Sequence, residues 1–306
     1  MKKVVPLPEN LAGERFDIGL ARMLGISRAQ AEALICKGEA RLARSAKKSE
    51  KLEEGDVVTL EVEDEPPSCP YRPPAFLEIL YQDSDIVVVN KPASLASHPC
   101  AGWKGDTVTE ALERQGVFLC SDGPAGRRGV VSRLDVGTSG AMLLCKSNEA
   151  YVEMKRQFSS HEVEKTYHAL ASGYLREAAT IEAPISRDPG AKFRFAVSPY
   201  GKDAVTHYRP IEVFKGFTLA EVKIETGRTH QIRVHFSSIG HPLAGDSLYG
   251  SNPRQDARLG LDRQWLHARS LRFRHPLTKI WMRVSATYSE DLRRSLGILE
   301  SLGGVK

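Results

Sequence analysis

The sequence predicts an α+β protein built on a mixed, mostly antiparallel sheet, with a small α/β module in front. Three observations carry that prediction. Strand-like apolar runs follow one another without the regular intervening helices that an all-parallel sheet requires. Ala220, Val222 and Ile224 alternate with Glu221, Lys223 and Glu225, the two-residue period of a half-buried antiparallel strand. Five prolines between Asp64 and Pro74 rule out a helix or central strand there and set a short N-terminal segment apart from a long C-terminal one. The expected organisation is a module over residues 1–63, a stiff linker over 64–76 and a main domain over 77–306.

In the module, Phe16, Leu20 and Leu24 recur at helical spacing, and Gly25 is placed to stop that helix. Ser27-Arg28-Ala29-Gln30 has the form of a capping box opening a second helix, which Gly38 ends. Residues 51–56 read as a turn into a strand over 57–62. After the linker, 79–81 and 86–89 read as paired strands. Asn90-Lys91-Pro92 leaves the second of them, and Asp106 is placed to cap a helix running to Gln115. Residues 129–131 and 141–146 read as buried strands on either side of a polar loop. Ser147 caps a helix with Ala150, Met154 and Phe158 on one face, and 164–172 is a strand carrying Lys165, Tyr167 and His168. Thr229 is placed to cap a helix with Ile232, Phe236 and Ile239 aligned, ended by Gly240. Strands over 271–274 and 280–286 precede a final helix over 289–302.

At 306 residues, 41% hydrophobic and 26% charged, the chain suits about two folded domains and not a disordered polymer. Its net charge of +5 is modest, but basic residues cluster at 41–51 and 254–283, which favours a polyanionic partner such as nucleic acid. Five cysteines, odd in number and never spaced C-x-x-C, point to reduced thiols and away from a disulfide framework or zinc site. The N-terminus lacks the apolar stretch of a signal peptide, and no run of about 18 apolar residues is available to span a membrane. A soluble cytoplasmic protein is expected.

Two stretches carry chemistry. Arg133 and Asp135, turned by Gly137-Thr138-Ser139-Gly140, can point a guanidinium and a carboxylate into one cleft, or Asp135 can merely satisfy turn amides. Residues 226–235 place Arg228, His230 and Gln231 at a helix start, where unpaired amides and the dipole favour anions, with Arg233 and His235 following. His230, His235 and His241 lack the spacing of a helical zinc pair, so no metal is expected. P-loop, G-x-G-x-x-G and G-x-S-x-G patterns are all missing, so neither a nucleotide cofactor nor a serine nucleophile is implied. What is left is carboxylate chemistry in an arginine-rich, aromatic-flanked cleft.

Six motifs then occur in a telling order. They are Asp85-Ile86 with Asn90-Lys91-Pro92; Arg133-Leu134-Asp135 with Thr138-Ser139-Gly140; Glu164-Lys165 with Tyr167 and Ala169; the stretch 226–235; His241-Pro242-Leu243-Ala244-Gly245-Asp246 with Tyr249-Gly250; and His267-Ala268 with His275-Pro276. Together they resemble the successive motifs of the RluA-type pseudouridine synthases, over about residues 77–288. The order Arg15-Phe16-Asp17, Ser27-Arg28, Gly38, Glu54-Gly55-Asp56-Val57 resembles the small RNA-binding module named after ribosomal protein S-four, which precedes the catalytic domain in some members.

The resemblance implies a core of the pseudouridine synthase type and cofactor-free isomerisation of uridine in structured RNA. The N1 glycosidic bond breaks, the uracil turns, and C5 rejoins the ribose. It implies Asp135 as the essential carboxylate, either as ribose nucleophile or as base at C2′, and Arg233 as the cation paired with it. Tyr167 would stack on the target uracil, and Arg133 would fill the space of the flipped nucleotide. Arg228, His230, Gln231 and Lys91 would bind substrate, and Arg15, Arg28 and Lys37 would serve the N-terminal module. Large-subunit ribosomal RNA is the expected partner, with transfer RNA the alternative, and a monomer is the expected state. Members usually carry histidine where this chain has Ser132. One rival is a non-catalytic RNA-binding or ribosome-assembly protein on the same scaffold; the presence of Asp135, Tyr167 and Arg233 speaks against it. Another is a nucleoside hydrolase, which would need a second carboxylate.

Overall fold

A computed structural model describes residues 2–8, 11–24, 28–44, 47–61, 76–99, 103, 105–191 and 194–303. The chain forms two compact units, Met1–Pro73 and Pro74–Lys306. Gly25, Ser27 and all of the linker prediction except Phe76 lie outside the described residues.

The first unit contains β1 (Lys2–Pro6), α1 (Phe16–Leu24), α2 (Arg28–Lys37), β2 (Ala40–Leu42) and β3 (Val57–Glu61). Its strands form an antiparallel sheet in the order β1-β3-β2, and Phe16, Leu20, Ala31 and Val58 share its core. Neither β1 nor β2 is legible in the sequence. The first is lysine-bearing and short, and the second opens the basic stretch after Gly38. Arg44, in that stretch, turns to Asp56 and Glu50, each bonded at 2.9 Å, and so is not free to meet a polyanion.

The second unit runs β4 (Glu78–Gln82), β5 (Ile86–Lys91), α3 (Val108–Arg114), β6 (Ser139–Cys145), α4 (Asn148–Ser159), β7 (Glu164–Ser172), β8 (Ala179–Glu182), β9 (Ile185–Arg187), β10 (Phe195–Val197), β11 (Val205–Phe214), β12 (Phe217–Ile224), α5 (Gln231–Ser238), α6 (Pro253–Leu259), β13 (Leu266–Arg274), β14 (Trp281–Ser285) and α7 (Glu290–Ser301). Nine strands make one sheet in the order β4-β5-β6-β13-β7-β12-β11-β8, with β14 beside β13; β9 and β10 pair separately. Every pairing is antiparallel except β6 with β13, so the predicted mixed, mostly antiparallel α+β architecture is what forms.

That parallel contact is short, joining only His267 to Ser139 and Ala268 to Gly140. Gly140 has φ +115°, and a Cβ there would stand 2.3 Å from the Ala268 carbonyl oxygen, so the seam requires glycine. On one side of the seam, β5 and β6 pack against α3 and α4 through Val88, Leu143, Ala150 and Met154 in one cluster and Val87, Val89 and Leu112 in another. On the other, β7 and β12 pack against α5 through Ala169, Val222, Ile232 and Phe236.

Several local expectations change. The cap of α3 is Thr107, whose hydroxyl and amide exchange bonds with Glu110, while Asp106 pairs with Arg114 at 3.1 Å. Residues 129–131 give only an isolated bridge, Val130 to Leu144, and no strand. Strand β13 begins at Leu266, five residues early, because His267 and Ala268 form the seam. Strands β8 to β11 were hidden by polar composition, and β11 contains Pro210 at a bulge. The basic stretch 254–283 is not one face: Arg263 bonds Asp291 at 2.7 Å, and Arg272 turns to Glu164.

Candidate active site

Asp135 closes an irregular stretch, and its backbone carbonyl accepts the Thr138 amide at 3.0 Å as the chain turns into β6. The loop is gripped by its main chain. Ser97 Oγ donates to the Leu134 carbonyl at 2.8 Å and accepts the Leu134 amide at 3.0 Å. Lys91 Nζ donates to the Val136 carbonyl at 3.0 Å, and Arg263 Nη1 to the Gly137 carbonyl at 2.8 Å. The Asp135 side chain is 17% exposed, with Arg233 Nη1 at 3.6 Å and His230 Nε2 at 4.0 Å, both from Oδ2.

Arg233 arrives on α5 from the other half of the sheet. Its Nε and Nη2 take Asp246 Oδ2 and Oδ1 at 2.7 Å each, a bidentate pair, and its guanidinium lies 4.9 Å from the Tyr249 ring centre. Burial works against that charge, but Asp246 and Asp135 raise the guanidinium's pKa regardless. The predicted pair of Arg233 with Asp135 is therefore a secondary contact, and the principal partner, Asp246, was missed. Its motif, Gly245-Asp246 with Tyr249-Gly250, was visible, but nothing in the spacing says which side chain it meets.

Tyr167, buried on β7, faces the same space. Burial and then the charge of Asp135 push its phenol well above the ordinary value, so it stays protonated at neutral pH. A cavity of about 640 Å³ brings together Asp135, Tyr167, Arg233, Arg133, Arg228, His230 and Gln231, with Ser132 on its wall. That volume is in the range of a small-ligand site. Arg133 and Arg228 are exposed, and Arg228 Nε is tied to the Asp203 carbonyl at 2.9 Å.

Two predicted substrate contacts need correction. Lys91 is fully buried, its ammonium donating to the carbonyls of Pro92, Leu95 and Val136 at 2.9, 2.7 and 3.0 Å. Burial, helped by the Arg263 charge, pushes its pKa down to about 7, against the pull of the Asp135 carboxylate. It braces the Asp135 loop and does not reach the cavity. Gln231 reaches the wall, but its amide is spent inside, on the Thr226 hydroxyl, the Arg228 amide, the Val205 carbonyl and Thr206 Oγ1. Those bonds turn the chain before α5, which starts at Gln231 behind His230 and not at a Thr229 cap.

Arg15, Arg28 and Lys37 lie in the first unit. Both arginines grip the buried carboxylate of Asp17, at 3.0 and 2.9 Å, while Lys37 stands 3.8 Å from Glu39. Asp83, Asp85 and His275 bring ligand atoms within 4.8 Å of one another. There His275 Nε2 faces Asp83 at 2.8 Å and Nδ1 accepts the Leu277 and Thr278 amides, so both ring nitrogens are engaged. Among the described residues no helix is long and apolar enough to cross a membrane.

The family model for RNA pseudouridylate synthase matches residues 85–238, a span that holds Asp135, Tyr167 and Arg233. The chain belongs to the RNA pseudouridylate synthase family. It is 44% identical over 303 residues to an uncharacterised RNA pseudouridine synthase of Mycobacterium bovis, covering 98% of each chain. It is 38% identical over 306 residues to the ribosomal large subunit pseudouridine synthase D of Xanthomonas campestris, covering 96% of this chain and 91% of that one. Its fold is similar to the solved human RNA pseudouridylate synthase domain containing 1, with a TM-score of 0.56 and 25% identity over 78% of this chain and all of the other. As a pseudouridylate synthase the chain is an enzyme, an isomerase that turns uridine in RNA into pseudouridine.

Proposed function

We propose that this chain isomerises a uridine of large-subunit ribosomal RNA, acting in the cytoplasm as a monomer, with Asp135 as the reacting carboxylate. The substrate class comes from relatives named for the ribosomal large subunit. The observation that carries the assignment of the site is the meeting of Asp135, Arg233 and the protonated Tyr167 around one cavity. Asp135 acts on the ribose, either attacking C1′ or taking a proton from C2′. The N1–C1′ electron pair leaves with the uracil, which stays in the cavity and turns. The C5–C1′ bond then forms as the carboxylate leaves C1′ or returns the proton to C2′, the C5 proton is lost, and N1, freed from the ribose, gains a proton. One carboxylate suffices because the leaving base is also the returning nucleophile, unlike the carboxylate pairs of glycoside hydrolysis. Arg233 orients the carboxylate, Tyr167 stacks against the uracil, and Arg133, exposed at the cavity, fills the gap left by the extruded nucleotide. In the first unit Arg15 and Arg28 share the one Asp17 carboxylate, unlike Arg44 with its several acids, so a net positive charge is left there and, with the exposed Lys37, is offered to RNA phosphates.

The test is Asp135→Asn, which removes charge and keeps shape. Tritium release from 5-tritiated uridine in ribosomal RNA should fall by at least about a thousandfold, about 4 kcal/mol of barrier. RNA affinity should stay within a few-fold. Substantial residual turnover would remove Asp135 from the chemistry.

A further inference from the structure

His230 holds the corner before α5 at φ +57°, a left-handed conformation that Asn and Gly adopt more readily than most residues. It makes no side-chain cap bond to that helix. His, like Asn, is among the residues that tolerate this conformation, so the backbone alone does not select the imidazole, and its ring contacts show what it adds. Its Nδ1 lies 2.9 Å from the Tyr249 hydroxyl, which already accepts the Phe195 amide at 3.0 Å. A phenol has one proton to give, and among the described residues Nδ1 is the acceptor within its reach. A Tyr249 hydroxyl that donates to Nδ1 leaves the proton of the neutral ring on Nε2, the nitrogen facing Asp135 Oδ2 at 4.0 Å. Burial holds the imidazole below its ordinary pKa, against the pull of the Asp135 charge, so the ring is neutral at pH 7. Phe195 and Tyr249 meet it edge-on, each with ring centres 5.6 Å away, and fix its plane.

We propose that His230 is a positioning residue for Asp135, offering Nε2–H to Oδ2, and that Tyr249 sets the tautomer which makes this possible. Arg233 Nη1 approaches the same oxygen, so the two donors gather on Oδ2 and leave Oδ1 to the ribose. Tyr249 also underlies the Arg233 guanidinium and therefore orients both neighbours of the carboxylate. Through the Phe195 amide that arrangement is anchored in β10, so the β9–β10 hairpin supports the catalytic carboxylate from outside the main sheet. At 4.0 Å the His230 contact is longer than a hydrogen bond, and it shortens when RNA fills the cavity and displaces water. The inference rests on Asp135 being the reacting group.

Two substitutions separate the imidazole's chemistry from its backbone. In His230→Gln the amide nitrogen reaches about where Nε2 stands; in His230→Asn it stops near Nδ1, although Asn suits the left-handed corner better. Single-turnover tritium release at saturating enzyme should keep His230→Gln within about threefold of the natural enzyme and slow His230→Asn by about thirtyfold, with RNA affinity unchanged in both. Asn equalling or surpassing Gln would reduce His230 to a backbone corner. Parallel losses of rate and affinity would make it an RNA contact instead. Either result overturns the proposal. Nitrogen-15 NMR of the imidazole in the natural protein supplies an independent arm: the proton should sit on Nε2 and lose that preference in Tyr249→Phe. A proton on Nδ1 in the natural protein would refute the relay outright. Neither arm duplicates the Asp135→Asn assay, whose failure would remove the carboxylate's role while leaving the tautomer measurement intact.

Discussion

The two halves of the catalytic sheet, joined at the short β6–β13 seam, hold their site residues by opposite means. On the β7 side, side chains grip side chains: Arg233 is locked to Asp246 by two bonds of 2.7 Å, and the Gln231 amide is fully engaged. On the β6 side, the residues flanking Asp135 are gripped through their main chain, and side-chain bonds begin only beyond them, at Thr138 and Ser139. Ser97, Lys91 and Arg263 bond the carbonyls of Leu134, Val136 and Gly137, and among the described residues the donor nearest the Asp135 carboxylate is Arg233 at 3.6 Å. The contrast has a physical cause. A buried guanidinium left without a partner is costly, so its pairing must be complete. A carboxylate that must meet a sugar has to be held in place without its oxygens being used up, and backbone bonds on either side of it do that.

The largest effect should follow from breaking the side-chain grip. Asp246→Ala strands the Arg233 charge in a buried site and should cost about 3–5 kcal/mol of stability, read as a lower urea midpoint. Asp135→Asn, removing a carboxylate that no donor fully holds, should leave the midpoint nearly unchanged. Equal shifts in the two variants would erase the distinction between the halves.

The same contrast explains what could be read from the sequence. Strands β5, β6, β7 and β12 and helix α4 were legible because their apolar period decides burial, and Asp135, Tyr167 and Arg233 stood out through motif order. Lys91 was misread because a lysine buried under three carbonyls looks, in sequence, like a lysine offered to phosphate. Asp246 was missed because its partner lies 13 residues back on a helix, and a bidentate pair leaves no local pattern. Strands β8 to β11 were lost because their polar residues serve pairing more than a core, and β13 was shortened because its first residues pair across the seam, where no two-residue apolar period runs. Arg44 and Arg263 show why counting charge overstates a basic surface: both are spent on neighbouring carboxylates.

A smaller effect concerns the β4–β5 turn, which props the β6 half. Burial alone would raise the Asp83 carboxyl, but the Ile86 amide, the Tyr81 hydroxyl, the Asp85 amide and His275 together hold it down to about 2. A carboxyl depressed on folding contributes stability above its unfolded pKa, near 3.9, and loses it as pH falls towards the folded value. Between about pH 4 and pH 2 the natural protein should therefore lose about 2 kcal/mol that Asp83→Asn does not. Urea midpoints across that range give the comparison, and identical slopes for the two proteins would leave the turn without this role.

The smallest effect should come from the backbone grip itself, and it tests whether that grip acts locally. Ser97→Ala removes one hydroxyl that both donates to the Leu134 carbonyl and accepts the Leu134 amide. The groups left behind lie on a half-buried loop, where water can partly replace the lost partner, so the cost should be about 1 kcal/mol. Because those bonds hold main chain beside Asp135, while the Leu134 side chain keeps its packing against the neighbouring core, the cost should appear as loop opening. The single-turnover rate should then fall about fivefold, matching about 1 kcal/mol, with the urea midpoint unmoved. Hydrogen exchange gives the second readout: the Leu134 amide should exchange faster while amides of β6, buried along its whole length, keep their protection. If the β6 amides loosened together with Leu134, the loop and the strand would open as one unit, and Asp135 would be held by the same cooperative packing as Arg233.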